Sequence, residues 1–110
     1  MIFTRENGIT VITQEKATIV DLVKALEEKY DTMKNDHIVV NLFSLKEISP
    51  KDLNEFLRIS KEHKTSQHSF VIVNDTISYE ETPENITLVP SLREAYDIIE
   101  MEEIERDLEI

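Results

Sequence analysis

Two short runs of strand-forming residues open the chain, and an Asn-Gly pair separates them. Residues 2–5 and 9–13 are rich in β-branched side chains, and Asn7 and Gly8 lie between them. Asn-Gly in this position is a strong hairpin signal, because both residues tolerate the positive φ that a tight turn needs. The chain is therefore predicted to begin with a β-hairpin.

A helical period follows the hairpin. Thr18 and Asp21 have the spacing of a helix cap, and apolar residues recur at every third or fourth position after them. The members of this stripe are Ile19, Leu22, Val23, Leu26, Tyr30 and Met33. The pattern predicts a helix with one buried face.

Two continuous apolar runs lie near the middle of the chain. Residues 37–42 and 69–74 are bounded by polar residues, which favours strands that are covered on both faces. Between them, Ser49 can cap a helix, Pro50 suits its first position and Asp52 completes the cap. Strand, helix and strand in this order predict a parallel β-α-β unit.

The last third of the chain predicts a loop, a strand and a helix. Residues 75–85 have little periodicity, which indicates a loop or a short distorted helix, and residues 86–89 form a last short strand. Ser91 and Glu94 cap the final helix. Its predicted core stripe is Leu92, Ala95, Tyr96 and Ile99. The predicted fold class is α/β: a mixed sheet of four to five strands with an N-terminal hairpin, a parallel β-α-β core and three main helices.

Length and composition are those of an ordinary globular protein. The 110 residues fit one domain over residues 1–110, and the apolar fraction of 40% argues against a disordered chain. The apolar runs are too short to cross a bilayer, and Met1 leads into strand-like residues without a signal-peptide core. The absence of cysteine excludes disulfides and thiolate metal sites. We expect a cytoplasmic protein that does not act at a membrane.

Net charge narrows the class of partner. The 23 acidic residues against 12 basic ones give a formal charge of -11, which repels nucleic-acid phosphates. No nucleic-acid partner is therefore expected. Gly8 is the one glycine and is taken by the hairpin turn, so the chain lacks a glycine-rich phosphate cradle. We expect no cofactor.

The order of the predicted elements resembles the STAS domain, the fold of bacterial anti-sigma-factor antagonists and of sulfate-transporter tails. Residues 38–57, IVVNLFSLKEISPKDLNEFL, are similar in spacing to the family's third strand, switch loop and second helix. Residues 88–96, LVPSLREAY, look like the family's ending, where a strand leads into a capped helix. The resemblance covers nearly the whole chain. It implies a non-enzymatic regulatory or scaffold module that binds a protein partner.

The sequence departs from this family at its regulatory site. That site is typically an Asp followed by a phosphorylatable Ser or Thr at the start of the second helix, and here Ser49, Pro50 and Lys51 occupy it. Proline cannot accept a phosphoryl group, so the usual switch is missing. Ser49 is a displaced candidate for phosphorylation, and a plain helix cap is the alternative. The family's Gly-Glu-Leu-Asp type of segment is replaced by residues 13–18.

Residues 100–108, EMEEIERDL, also resemble the ending of short proteins that are sometimes labelled ribonuclease Z. That label implies an RNA-processing metal hydrolase, whose two metal ions need a tight cluster of His and Asp ligands. In this chain the only histidines are His37, His63 and His68, which lie at a strand start and around a helix end. We expect solvated imidazoles, no metal site and no catalytic residues.

Basic residues gather on the second helix of this acidic chain. They are Lys51, Arg58, Lys61, His63 and Lys64, and we call this set the basic surface. The corresponding helix faces the partner in STAS proteins, so the basic surface is a candidate contact. A merely solvated face is the alternative.

The C-terminal segment is strongly acidic. Eight acidic residues lie among the last twenty, against Arg93 and Arg106, which gives this segment a charge of about -6. Met101, Ile104 and Leu108 continue the helical spacing among these acids. Residues 100–110 thus form an acidic helical extension in one of two ways. It packs back onto the sheet, or it offers a strip to a protein partner or to a second copy of the chain.

A small-ligand or lipid carrier is a further alternative. Residues 75–85 are predicted to follow a strand end, and open α/β sheets bind ligands beside their strand ends. This hypothesis rests on analogy between folds.

Overall fold

The computed structural model describes residues 1–14 and 18–109. Residues 15–17, the middle of the segment that replaces the family's Gly-Glu-Leu-Asp type of sequence, lie outside the described residues, as does Ile110 at the end of the predicted extension.

Five strands form one mixed sheet in the order β1-β2-β3-β4-β5. The strands are β1 (Ile2–Glu6), β2 (Ile9–Thr13), β3 (His37–Asn41), β4 (Phe70–Val73) and β5 (Thr87–Val89). β1 and β2 are antiparallel, whereas the later pairs are parallel. Asn7 and Gly8 connect β1 to β2 with φ of 54° and 78°, as a tight primed turn requires. The predicted hairpin is confirmed.

The helices are α1 (Ile19–Met33), α2 (Pro50–Leu53), α3 (Leu57–Thr65) and α4 (Leu92–Leu108). A 3₁₀ turn joins α2 to α3 directly, so the two act as one helical arm between β3 and β4. This arm and the parallel pairing of β3 with β4 confirm the predicted β-α-β unit. A second 3₁₀ turn, Tyr79–Glu81, lies in the predicted loop. No helix among the described residues has the length and apolar character needed to cross a membrane.

Helices cover both faces of the sheet. α1 and the α2–α3 arm pack on one face, where their apolar side chains meet those of β2, β3 and β4. α4 lies on the other face, where Ala95 and Ile99 contact a layer of valines. Those valines are Val11, Val39, Val71, Val73 and Val89. Alternate residues of β3 and β4 thus enter opposite cores, which explains their continuous apolar runs.

One expectation about the core of α4 is wrong. Ala95 and Ile99 are buried and Leu92 is half-buried, but Tyr96 is 42% exposed. Successive helical residues are about 100° apart around the axis, so the residue after a centrally buried Ala95 is turned towards the helix flank. The buried stripe of α4 is accordingly narrower than predicted.

Candidate functional site

The C-terminal half of α4 presents polar side chains to the sheet and apolar ones to solvent. Glu103 Oε1 lies 2.6 Å from His37 Nε2 at the start of β3. Arg106 Nη2 donates to the Ser69 hydroxyl at 3.1 Å, just before β4. These contacts lie on the same side of α4 as the buried Ala95 and Ile99, so this side of the helix faces the domain along its whole length. The apolar side of this half of α4, which in most helices would be buried, therefore faces solvent.

Met101, Ile104 and Leu108 form the outward side, and we call these three residues the apolar row. Their exposed fractions are 56%, 53% and 80%. The spacing i, i+3 and i+7 places them on one helical stripe, opposite the side of Ala95, Ile99 and Arg106. The sequence left open whether the extension packs back onto the sheet or offers a strip to a partner. The exposed fractions show that the apolar row is not packed onto the sheet.

Four exposed carboxylates border the apolar row, and we call them the acidic flank. They are Asp97, Glu100, Glu105 and Asp107. Glu102 is half-buried and lies 3.9 Å from Arg106, and Glu103 contacts His37, so these two belong to the domain side. The surface that α4 offers is thus a short aliphatic stripe between carboxylates.

The basic surface is smaller than the sequence predicted. Lys51 and Lys61 are exposed, and Arg58 is exposed but paired with Glu62 at 3.4 Å. Lys64 turns towards β5, where its Nζ contacts Thr87 Oγ1 at 3.0 Å, and its partial burial lowers its pKa. Lys64 therefore joins the end of α3 to the sheet, and the exposed members of the set are Lys51, Arg58 and Lys61.

His63 is not part of any surface, and the expectation of a solvated imidazole is wrong for it. The side chain is 0% exposed, on the buried side of α3. Nε2 donates to the Asp36 carbonyl at 2.6 Å, and Nδ1 accepts from the Tyr30 hydroxyl at 2.8 Å. Both ring nitrogens are satisfied by the neutral form. Burial lowers the pKa of His63 to about 4.

The other two histidines lie beside His63. The His68 ring stacks on His63 with centroids 5.3 Å apart, and the His37 ring is 5.6 Å from that of His68. His37 Nδ1 accepts from the Ser69 backbone N–H at 2.9 Å, so its other nitrogen carries the proton that faces Glu103. This histidine cluster is structural: it packs the ends of α3 and α4 against the start of β3.

Spacing could have revealed the buried histidine. Phe56, Ser60 and His63 recur at intervals of four and three, and all three are fully buried. This interval is typical of the core side of a helix and indicates a buried residue at position 63, although the neighbours of His63 in the sequence are basic. Within residues 1–14 and 18–109, no three His, Cys, Asp or Glu side chains are arranged to share a metal ion.

Ser49 is where a helix cap belongs. It precedes α2, its backbone N–H donates to Asp52 Oδ2 at 2.9 Å, and Pro50 occupies the first helical position. The Ser49 hydroxyl is 3.3 Å from the same carboxylate oxygen and lies at the surface. The predicted helix start is present, and the hydroxyl is accessible.

The loops after β3 and β4 are tied together at the carboxyl edge of the sheet. The buried Asn74 amide donates to the carbonyls of Leu42 at 3.0 Å and Leu45 at 2.9 Å. Lys46 Nζ pairs with Asp75 at 2.8 Å and also lies over the exposed Phe43 ring. Because its partners are about thirty positions apart, no local pattern in the sequence predicts this polar connection.

An open groove of about 670 Å³ lies at the same edge. It is lined by the start of α1 and by residues 44–48 and Asp52, and residues 75–85 do not border it. The carrier hypothesis predicts a pocket beside residues 75–85, and this groove is not that pocket. The groove is shallow and mixed in polarity, which is a poor fit to an enclosed ligand.

Comparison with known proteins supports the fold. No protein-family model and no curated protein matches the sequence. Among solved structures, a serine-to-glutamate variant of RsbS from Moorella thermoacetica is similar with a TM-score of 0.67 at 12% identity, covering 90% of this chain and 93% of that one. The protein TM1081, determined by NMR, gives a TM-score of 0.66 at 14% identity, covering 89% of this chain and 86% of that one. RsbS is a STAS-domain protein, and the chain has a STAS-like fold, as its sequence predicted.

Proposed function

We propose that this protein is a non-enzymatic regulatory or scaffold module that binds a protein partner through the apolar row of α4. The observation that carries the proposal is the orientation of the helix, since Glu103 and Arg106 face the domain while the row faces solvent. Exposed apolar stripes on amphipathic helices are a common mode of protein recognition. The STAS-like fold agrees with a regulatory role based on protein interactions.

The non-enzymatic part of the proposal is supported by the state of the polar groups. His63 is inaccessible and held by two hydrogen bonds, and His37 uses both of its ring nitrogens on Ser69 and Glu103. A metal hydrolase needs imidazoles that converge with open nitrogens on one ion. A stoichiometric amount of zinc in the purified protein would contradict the proposal.

The basic surface is a second candidate contact on the α2–α3 arm. Lys51, Arg58 and Lys61 are exposed there and would suit an acidic partner. Ser49 lies two residues before Lys51 at the start of the same arm, and phosphorylation would add negative charge at that end of the surface. A Ser49→Glu variant that folds normally and binds its partner unchanged would remove the regulatory role of Ser49.

Capture of partners from a lysate of the source organism tests the proposal. Three immobilised variants are compared with the wild type. The row variant carries Met101→Ser, Ile104→Ser and Leu108→Ser, and the basic-surface variant carries Lys51→Ser, Arg58→Ser and Lys61→Ser. The third variant carries Val20→Ser alone. Val20 is an exposed apolar residue on α1 and serves as the matched control.

We expect the row variant alone to lose a partner that the wild type and the Val20 variant retain. Loss confined to the basic-surface variant would move the contact to the α2–α3 arm. Identical capture by every form would refute binding through either surface.

A further inference from the structure

We infer that the segment seated on the apolar row is an amphipathic helix with basic flanks, supplied by a different protein and not by a second copy of this chain. The inference rests on the proposed function and names the partner's chemistry. It follows from the charges around the row, from their position on the helix and from the contacts that hold the row outwards.

The acidic flank selects the charge of the partner. The four carboxylates are exposed: Glu100 and Asp107 lie on one side of the row, Glu105 on the other, and Asp97 one turn before Met101 at its N-terminal end. Any helix laid along the row therefore brings its own flanks within reach of these carboxylates. Lysine or arginine in those flanks gains attraction. A second copy would bring four further carboxylates to the same place, and like charges brought together at an interface are unfavourable.

The position of the acids on α4 strengthens this conclusion. Glu105, Asp107 and Glu109 lie at the C-terminal end of the helix, where the backbone carbonyls already give a partial negative charge. Arg106 is the one basic residue of the last turn, and it is directed towards the domain. Cations supplied by a partner would offset both the carboxylates and the helix dipole. Binding should therefore stabilise the last turn of α4.

The domain-side contacts mean that binding requires no rearrangement. Ala95 and Ile99 pack α4 onto the sheet, and Glu103 and Arg106 add contacts to His37 and Ser69 on the same side, so the row is already presented in the unbound protein. Met101 and Leu108 are seven residues apart, which is about 10 Å along a helix. Two helical turns of this length match the anchors at i, i+3 and i+7 through which a partner helix is gripped.

A designed peptide pair provides the probe. One peptide is a helical sequence of about fourteen residues with leucine on one side and lysine on the other, and its twin replaces lysine by glutamate. Binding of each fluorescently labelled peptide is followed by anisotropy at about 50 mM and about 300 mM salt, where screening differs strongly.

We expect the leucine–lysine peptide to bind the wild type and the glutamate twin not to bind. Changing Met101, Ile104 and Leu108 to Ser leaves the charge unaltered and should weaken binding by at least about tenfold, because apolar anchors dominate such contacts. Val20→Ser should bind as the wild type does. Equal binding by the row variant would mean that the peptide only senses net charge, which would overturn the inference.

A second set of measurements uses a variant in which the acidic flank is neutralised. Asp97→Asn, Glu100→Gln, Glu105→Gln and Asp107→Asn together should weaken binding at low salt and reduce its salt dependence. Unaltered salt dependence would also overturn the inference.

Sedimentation of the protein alone tests whether the apolar row is covered by a second copy of this chain or is left free for a different protein. A monomer that stays monomeric at about 100 μM is expected, a concentration at which even weak self-association with a micromolar Kd is visible. A dimer that dissociates in the row variant would make a second copy the occupant, which refutes the basic helix but keeps the row as a binding surface. If the peptide fails while lysate capture still depends on the row, only the inference falls. If capture is also independent of the row, the proposed function falls with it.

Discussion

Mild acid is expected to destabilise this protein through one residue, His63. The imidazole is fully buried, and its pKa falls from 6.5 in an unfolded chain to about 4 in the folded protein. Between these two values the unfolded chain binds a proton that the folded protein does not take up. Stability due to His63 is therefore complete above the unfolded pKa and is lost as the pH falls from about 6.5 towards about 4.

The size of the effect follows from the two pKa values. Each unit of difference corresponds to about 1.4 kcal/mol, so the free energy of unfolding should drop by about 2 kcal/mol between about pH 7 and about pH 5. Such a loss is a large fraction of the total stability of a small domain, which is typically about 5–15 kcal/mol.

His63→Gln provides the comparison. Glutamine has no titrating group, and its amide can donate to the Asp36 carbonyl in place of Nε2. The variant should be less stable at neutral pH, but its stability should change less between neutral and mildly acidic solution. Urea unfolding followed by circular dichroism measures both proteins, and an unchanged m-value verifies that the same transition is compared. His68→Gln, which alters a half-buried neighbour, is the matched control.

Parallel pH profiles for the wild type and His63→Gln would refute this reasoning. A titration of the histidine side chains by NMR gives an independent check on the wild type. We expect the His63 ring to stay neutral at about pH 5, where a solvated imidazole is almost fully protonated. A midpoint close to that of a solvated imidazole would contradict the assigned burial.

Four further substitutions should lower the free energy of unfolding by amounts that urea unfolding can measure. Asn74→Ala removes two hydrogen bonds to carbonyls of the preceding loop, which should lower the free energy of unfolding by about 3 kcal/mol. Amide exchange should become faster in both loops, and an unchanged exchange pattern would contradict the role of Asn74 in joining them. Asp36→Ala removes a buried carboxylate 2.8 Å from Arg5 Nε, with an expected loss of about 2 kcal/mol; Arg5→Ala should cost less, because that side chain is largely exposed. Phe56→Ala leaves a cavity between the α2–α3 arm and the sheet and should cost about 4 kcal/mol, and a loss below about 1 kcal/mol would mean that the core closes over the site.

Elements with local chemical signals were predictable from the sequence. The Asn7-Gly8 turn needs only its own two residues, and Ser91 caps α4 by accepting from the Glu94 N–H at 3.2 Å. The parallel strands were also predictable, because helices on both faces of the sheet leave an unbroken apolar run in the sequence.

Contacts between distant residues were not predictable in this way. His63 is bonded to Asp36 and Tyr30, which are 27 and 33 positions earlier, and no local pattern encodes those partners. The apolar row has the same periodicity whether it faces the sheet or solvent. Its direction follows from the burial of Ala95 and Ile99 on the opposite side of the same helix. On that side Glu103 and Arg106 contact His37 and Ser69, which belong to other elements.

The strands lie across the sheet in the order in which a ribosome makes them. Each new strand of the described sheet therefore finds its neighbour already synthesised, and the sheet can grow outward from the hairpin without inserting a strand between two older ones. α4 follows all five strands, and its contact between Glu103 and His37 ties it back to the middle of the sheet. A nascent chain that has made only the sheet lacks the helix that carries the apolar row, so recognition through that row would report that this fold has been completed.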